Sequence, residues 1–308
     1  MFVPLDKKEE LSKKLKNLRC QGRRLSFSWD FSNCPYCGNC KEEYHTLNNS
    51  EIHFRNIDSS KSKAVKDISK SWLEFLLNNC KRNKKLFYFK IDYIELNKMN
   101  MEHFGFEQAV ESVYNRFFRS NILGGSKYFF NRNYNKIVIN NIYHDRSDSK
   151  ENHEYFPWHT GYKINADHHK KVSVSNKDII FLDSDHKYYF DKKPDFRYES
   201  QFIQLIDLIL GTVRQNIYYS SKDSFKNEIS MIIRPLLKTL LENEKNSYSH
   251  RYRRYSSISF FPKTSVMDKE KLFIENYLED TKGRYYNSKK IQMPEFAVKQ
   301  TSLDYFKP

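Results

Sequence analysis

The chain has 308 residues, with 53 Lys+Arg against 38 Asp+Glu and a net charge of +15. That length buries a substantial core, in one large domain or in one domain with an appendage. The charge favours a polyanionic partner, nucleic acid above all, although an AT-rich coding composition, with only four alanines, is a competing source of the basicity.

No stretch has the length of an apolar membrane span, and MFVPLDKKEELSKKLKNL lacks the apolar core of a signal peptide. Five cysteines, an odd number, do not make a secreted disulfide framework. A bacterial-type cytoplasmic setting without a membrane partner is expected.

Residues 6–19 pattern as a short charged helix, and RLSFSWDF at 24–31 alternates as a strand. NCPYCGNCKEEYH follows, with Cys34, Cys37 and Cys40 each separated by two residues and His45 just beyond. CPYCG is similar to the knuckle of zinc ribbons, whose tight turn aims two thiolates at one ion. Tetrahedral zinc needs four ligands, so His45 or Cys20 is expected as the fourth; Cys80 or His53 would have to be brought near by the fold. A structural zinc in an insertion over about residues 20–50 is the expectation, and free thiols are the alternative.

A helix over 62–80 places Val65, Ile68, Trp72, Leu73, Leu76 and Leu77 on one side, and LFYFKIDYIEL at 86–96 is a strand. A helix over 104–123 is expected to stop at Gly124 and Gly125. KIVINNIY at 136–143 is a second strand, running into His144 and Asp145. Residues 146–172, with His153, His159, His168 and His169, read as a long polar loop, and DIIFLD at 178–183 as a third strand. A helix over 199–217 carries a wide apolar face, leaving Gln204, Asp207, Gly211 and Arg214 on a narrow stripe. A helix over 224–243, the strand SISFF at 257–261, a helix over 268–279 and a polar tail complete the chain. Strands alternating with helices predict an α/β or closely related mixed fold.

Asp145 ends one strand, and Asp183 with Asp185 ends another, where α/β sheets favour ligand sites. If Asp207 faces them, the carboxylates repel unless a cation neutralises them, and Mg2+ or Mn2+ is the oxygen-seeking ion suited to that. The plainer readings are that these acids form turns and that Asp207 looks at water. His144 and Asp145 are adjacent on a strand, so they point to opposite faces. SHRYRRYSSISFF interleaves Arg251, Arg253 and Arg254 with Tyr252 and Tyr255; guanidinium forks grip phosphates and rings stack on bases. The alternative is a basic connector with its tyrosines in the core. Lys81, Arg82, Lys84 and Lys85 read as an ordinary solvated turn.

EIHF at 51–54, then a helix, LFYFKIDYI, IVINNIYHD, and FLDSD leading into QFIQLIDLILGTVR come in an order that resembles the bacterial domain-of-unknown-function 3800 family, over roughly residues 1–217. The most specific element is a Ser-containing strand end followed by Gln-x-x-Asp-x-x-x-Gly, matched by Ser184, Gln204, Asp207 and Gly211. The resemblance implies an RNase H-like mixed sheet flanked by helices over residues 1–220, with a helical and strand extension over 221–308. It implies that Asp207 is presented to Asp145, Asp183 and Asp185 for Mg- or Mn-dependent phosphodiester cleavage, compatible with defence against mobile elements. The family's opening Asp-Glu-Ser-Gly strand has no counterpart; Asp30 in WDFSN keeps only the Asp-x-Ser spacing. The resemblance is compatible with a nuclease, whether a one-metal variant or a rearranged enzyme, and with a catalytically inactive nucleic-acid- or protein-binding relative.

Overall fold

The structure is a computed structural model that describes residues 1–19, 51–94, 109–146, 159–166, 171–185, 199–218, 221–241 and 245–261. In chain order these hold a 3-10 turn (Leu5–Lys7), α1 (Lys8–Asn17), a second 3-10 turn (Phe54–Asn56), α2 (Lys63–Lys81) and β1 (Phe89–Ile94). Then come α3 (Ala109–Phe130), β2 (Ile137–Ile139), β3 (Ile142–Asp145), α4 (Thr160–Ala166), β4 (Val172–Val174) and β5 (Ile179–Leu182). The remaining elements are α5 (Glu199–Tyr218), α6 (Ser224–Ile232), α7 (Arg234–Leu241), α8 (Ser249–Tyr255) and β6 (Ser256–Phe261). The chain is mixed helix and strand, broadly α/β, as the alternation predicts. Among the described residues no helix is long and apolar enough to cross a membrane.

The main core forms around α5, whose Leu205, Leu208, Ile209, Val213 and Ile217 are buried with Leu11 and Leu15 of α1 and with Trp72, Leu73 and Leu76 of α2. Each such side chain contributes about 1.5–3 kcal/mol on burial. Ser62 starts α2 by accepting from Val65 N–H, and Asp223 starts α6 by accepting from Lys226 N–H at 2.9 Å. Phe225 and Ile229 of α6, Leu236 and Leu237 of α7, and Tyr252 and Tyr255 of α8 enter this same core. The segment expected as an extension beyond residue 220 therefore packs, as far as Phe261, with the elements before it. Residues 262–308, including the expected helix at 268–279, lie outside the described residues.

Three two-stranded ladders are described, and all are parallel: β1 with β6, β2 with β4, and β3 with β5. Phe2 adds an antiparallel bridge to Tyr88, just before β1. A single mixed sheet is not assembled among the described residues. A second, smaller core of Ile142, Ile164, Val172, Val174 and Ile179 lies beneath β2 to β5.

Four expected boundaries are corrected. The helix expected to stop at Gly124 and Gly125 continues through both to Phe130. Gly125 gives room rather than a stop: a Cβ there would enter the Phe2 ring. The helix over 224–243 is two helices, parted at Ile233 before Pro235, which lacks the N–H an uninterrupted helix needs. The strand at 136–143 breaks at Asn140 and Asn141, where Asn176 Nδ2 donates to Asn141 Oδ1 at 3.2 Å. Within the expected loop at 146–172, Thr160–Ala166 is helical, and Gly161 admits the Lys177 backbone where a Cβ would collide.

Candidate functional site

The parallel pairing of β3 with β5 sets two acidic strand ends side by side. Asp145 is the last residue of β3, Asp183 and Asp185 follow β5, and Arg146 N–H extends the ladder by donating to Leu182 O at 2.7 Å. α5 brings Asp207 to this edge, and the segment before the second 3-10 turn brings Glu51 and His53.

Asp207 does not look at water alone. Phe54 N–H donates to its Oδ2 at 2.8 Å, and His53 Nδ1 lies 3.5 Å from the same oxygen. His53 Nδ1 also accepts from Arg55 N–H at 3.1 Å, which caps the 3-10 turn. The turn reaches α5 only because residue 211 is glycine; a Cβ there would enter the side chain of Phe54. Gln204, Asp207 and Gly211 stand at three- and four-residue helical steps, and each receives part of the 51–54 segment. The Gln-x-x-Asp-x-x-x-Gly spacing thus has a local physical cause.

Gln204 is buried and ties three segments together. Its Oε1 accepts from Ile52 N–H at 3.0 Å and from Arg19 Nη2 at 2.6 Å, while its Nε2 donates to Ser184 O. Ser184 Oγ in turn donates to Glu51 Oε1. Arg19 is buried too, 4.7 Å from the Trp72 ring centre, with Nε donating to Gln201 Oε1 at 3.3 Å. Burial pushes the Arg19 guanidinium down to about 9, and the Asp185 charge opposes that fall, so it remains a cation at neutral pH.

The acids perturb one another. Burial first, then the Asp207 charge, pushes the Asp145 carboxyl up to about 6; Glu51 and Asp183 add to the rise and His53 opposes it. Asp207 is raised as well, by burial, against the pull of His53 and the Phe54 N–H. Asp145 Oδ1 is buried with no hydrogen-bond partner among the described residues. A buried, unpartnered carboxylate oxygen among other acids calls for a proton or a cation. Among the described residues, no group of three or more His, Cys, Asp and Glu side chains stands close enough together to hold a metal ion.

Of the four expected acids, Asp183 and Asp207 lie within electrostatic reach of Asp145, whereas Asp185 acts on Arg19 and donates its N–H to Asp183 Oδ1 at 2.9 Å. His144 turns to the opposite face as expected: its Nε2 meets Tyr114 OH at 2.7 Å, and its ring packs on Phe118 and Phe181. Glu51 and Arg19 are not among the site residues expected from the sequence, and His53 enters there only as a zinc ligand the fold would have to bring near. The signal for Glu51 and His53 was the acid-x-His pattern of EIHF; nothing local to Arg19 marks it.

Cys20, Cys34, Cys37, Cys40 and His45 lie outside the described residues. Cys80 is buried in the main core, with burial pushing its thiol up to about 12, and His53 stands beside Asp207 with its Nδ1 3.5 Å from Oδ2. The tract at 249–261 is corrected in part. Tyr252 is a fully buried core ring, so it has no face to offer a base, whereas Arg251, Arg253 and Arg254 are exposed.

A scan against protein-family models gives no match, and searches of the curated proteins and of the solved structures give none either.

Proposed function

We propose that the chain is an RNase H-like, divalent-metal-dependent nuclease cleaving phosphodiester bonds, as its resemblance to the domain-of-unknown-function 3800 family implies. The observation that carries this reading is that Asp207, Glu51 and Asp183 lie within electrostatic reach of Asp145, whose Oδ1 has no hydrogen-bond partner among the described residues. The donor set, hard carboxylate oxygens with one imidazole nearby, fits Mg2+ or Mn2+. Asp145 and Asp207 would hold the ion, with Asp183 or Asp185 alongside. When bound, such an ion activates water and steadies the leaving oxygen of a phosphodiester.

The chain's own residues prepare this. The Phe54 N–H and the Gly211 approach fix the carboxylate of Asp207. Gln204 and Ser184 hold Glu51 to the end of β5. His53 places an imidazole nitrogen 3.5 Å from the Asp207 carboxylate at this edge.

Cleavage of labelled DNA and RNA with Mn2+ is expected from the parent and is expected to vanish with EDTA, with Asp145→Asn and with Asp207→Asn. A second reading, a catalytically inactive nucleic-acid- or protein-binding relative, is favoured by the spacing of the donors, which does not yet form a ligating group. A parent that binds but never cleaves selects the second reading; an Asp207→Asn protein that cleaves as its parent does removes Asp207 from the machinery.

A further inference from the structure

Three segments without a single Asp or Glu come together at the far end of α2: KRNKK at 81–85, KYFFNRNYNK at 127–136, and KNSYSHRYRRY at 245–255. The sequence alone suggested a solvated turn for the first, and it offered no link between them. The fold supplies one through α8. Arg251 donates to Lys81 O, Tyr255 OH donates to Asn83 Oδ1, and Tyr128 OH donates to Arg253 O at 2.8 Å. Arg254, Tyr134 and the acid Asp6 all lie within electrostatic reach of the Tyr88 hydroxyl.

The 81–85 turn is built rather than loose. Asn83 and Lys85 both adopt left-handed backbone angles, φ 54° and 56°, the second a conformation lysine rarely takes. Asn79 pins the exit from the turn, accepting from Leu86 N–H at 3.0 Å and donating to Phe87 O at 3.1 Å, while α8 pins its near side. Arg82, Lys84 and Lys85 are exposed on this turn, and Arg254 is exposed on α8, whose neighbouring Arg251 and Tyr255 contact the turn. Tyr134 is 58% exposed at the edge of this band.

We propose that this band is a docking track for a single nucleic-acid strand, gripped through its phosphates by Arg82, Lys84, Lys85 and Arg254, with Tyr134 as a platform for a base. Guanidinium and ammonium groups on a fixed backbone suit a polyphosphate, and an exposed ring beside them suits an unpaired base. The track stands at the C-terminal end of α2, a helix of 19 residues that spans about 28 Å, whereas the turn that carries His53 precedes the start of that helix. It shares with the proposed nuclease reading only the polynucleotide, and its test needs no cleavage.

Binding of fluorescent DNA and RNA single strands is measured in EDTA for the parent, for Arg82→Gln/Lys84→Gln/Arg254→Gln, and for Lys13→Gln/Lys61→Gln/Lys177→Gln, which removes the same charge elsewhere. Lys85 and Arg251 are left intact because they hold the turn. Loss of three phosphate contacts should lower affinity at least about tenfold at 0.1 M salt and reduce the salt slope by about 2, with the control near the parent. Tyr134→Ala should weaken single strands severalfold and leave duplex binding unchanged.

Equal losses in the band and control variants would overturn the track, as would anionic phospholipid vesicles that bind through the same residues and displace the strand. Unchanged binding of Tyr134→Ala would overturn its single-strand assignment. A protein that cleaves while its band variant binds normally removes the track alone. One that binds through the band but never cleaves removes the nuclease reading alone.

Discussion

The acidic edge and the basic band are opposites in construction as well as in charge. At the edge, Asp145 and Asp207 are partly buried and held near one another by strand pairing and by the Phe54 N–H, so their repulsion is enforced by the fold. Beneath them a buried cation, Arg19, and a buried amide, Gln204, join segments far apart in sequence. In the band the cations are exposed, and the protein fixes the backbone that carries them. Close, desolvated charges act over a few ångströms on a proton or an ion; exposed ones act over a Debye length, about 8–10 Å, and fade with salt. The difference separates a region suited to short-range chemistry from one suited to long-range capture.

The harshest way to break this contrast is to remove the buried cation. Arg19→Met should cost about 3–5 kcal/mol in chemical unfolding, because Gln201 and Gln204 lose their donor and Asp185 its counter-charge. A loss under about 1 kcal/mol would mean that Arg19 does not organise the edge.

Gly211→Ala comes next. Alanine gains up to about 1 kcal/mol of helix propensity, but its Cβ meets the inner atoms of Phe54, which cannot swing away as a side-chain tip can. A net loss of about 1–2 kcal/mol is expected, together with weaker Mn2+ binding as the 53–54 turn moves off Asp207. A stabilised variant with normal Mn2+ binding would show that the close approach is not needed.

The pH dependence sharpens the comparison further. The folded carboxyl of Asp145 titrates near 6, above its unfolded value of 3.8, so the stability it contributes is full below about pH 4 and is lost as pH rises through 6. After discounting for its partial exposure, Asp145→Asn should gain about 1–2 kcal/mol above pH 6 in metal-free protein and nothing at pH 4. A gain that is equal at both pH values would point to packing rather than charge. The smallest effect belongs to the band, where Lys84→Gln should change stability by under about 0.5 kcal/mol at any pH. A larger loss would reveal a structural load on that side chain.

The sequence carried the acids well, because a hydrophobic strand that ends abruptly in Asp145 or Asp183 declares its own end, and helical period put Gln204, Asp207 and Gly211 on one face. Local pattern could not show that EIHF packs on that face, since the contact spans more than 150 residues of chain. Arg19 was unreadable for the same reason: in KKLKNLRCQGRR it is one basic residue among many until Trp72 and Gln204 close over it. Gly125 misled because a glycine that admits a neighbouring ring has the same letter as one that ends a helix. Tyr252 misled because alternating Arg and Tyr reads alike on an exposed tract and on a short amphipathic helix.

The most direct test is Mn2+ binding by calorimetry to chelator-treated protein at pH 5 and pH 7.5, for the parent, Asp145→Asn and Asp207→Asn. The ion must displace the proton from Asp145, so the parent should bind more weakly at pH 5, and at pH 7.5 each variant should lose at least about tenfold in affinity. Parent protein that takes up no Mn2+ at either pH, or variants that bind it as tightly as the parent does, would contradict a metal site between β3 and α5.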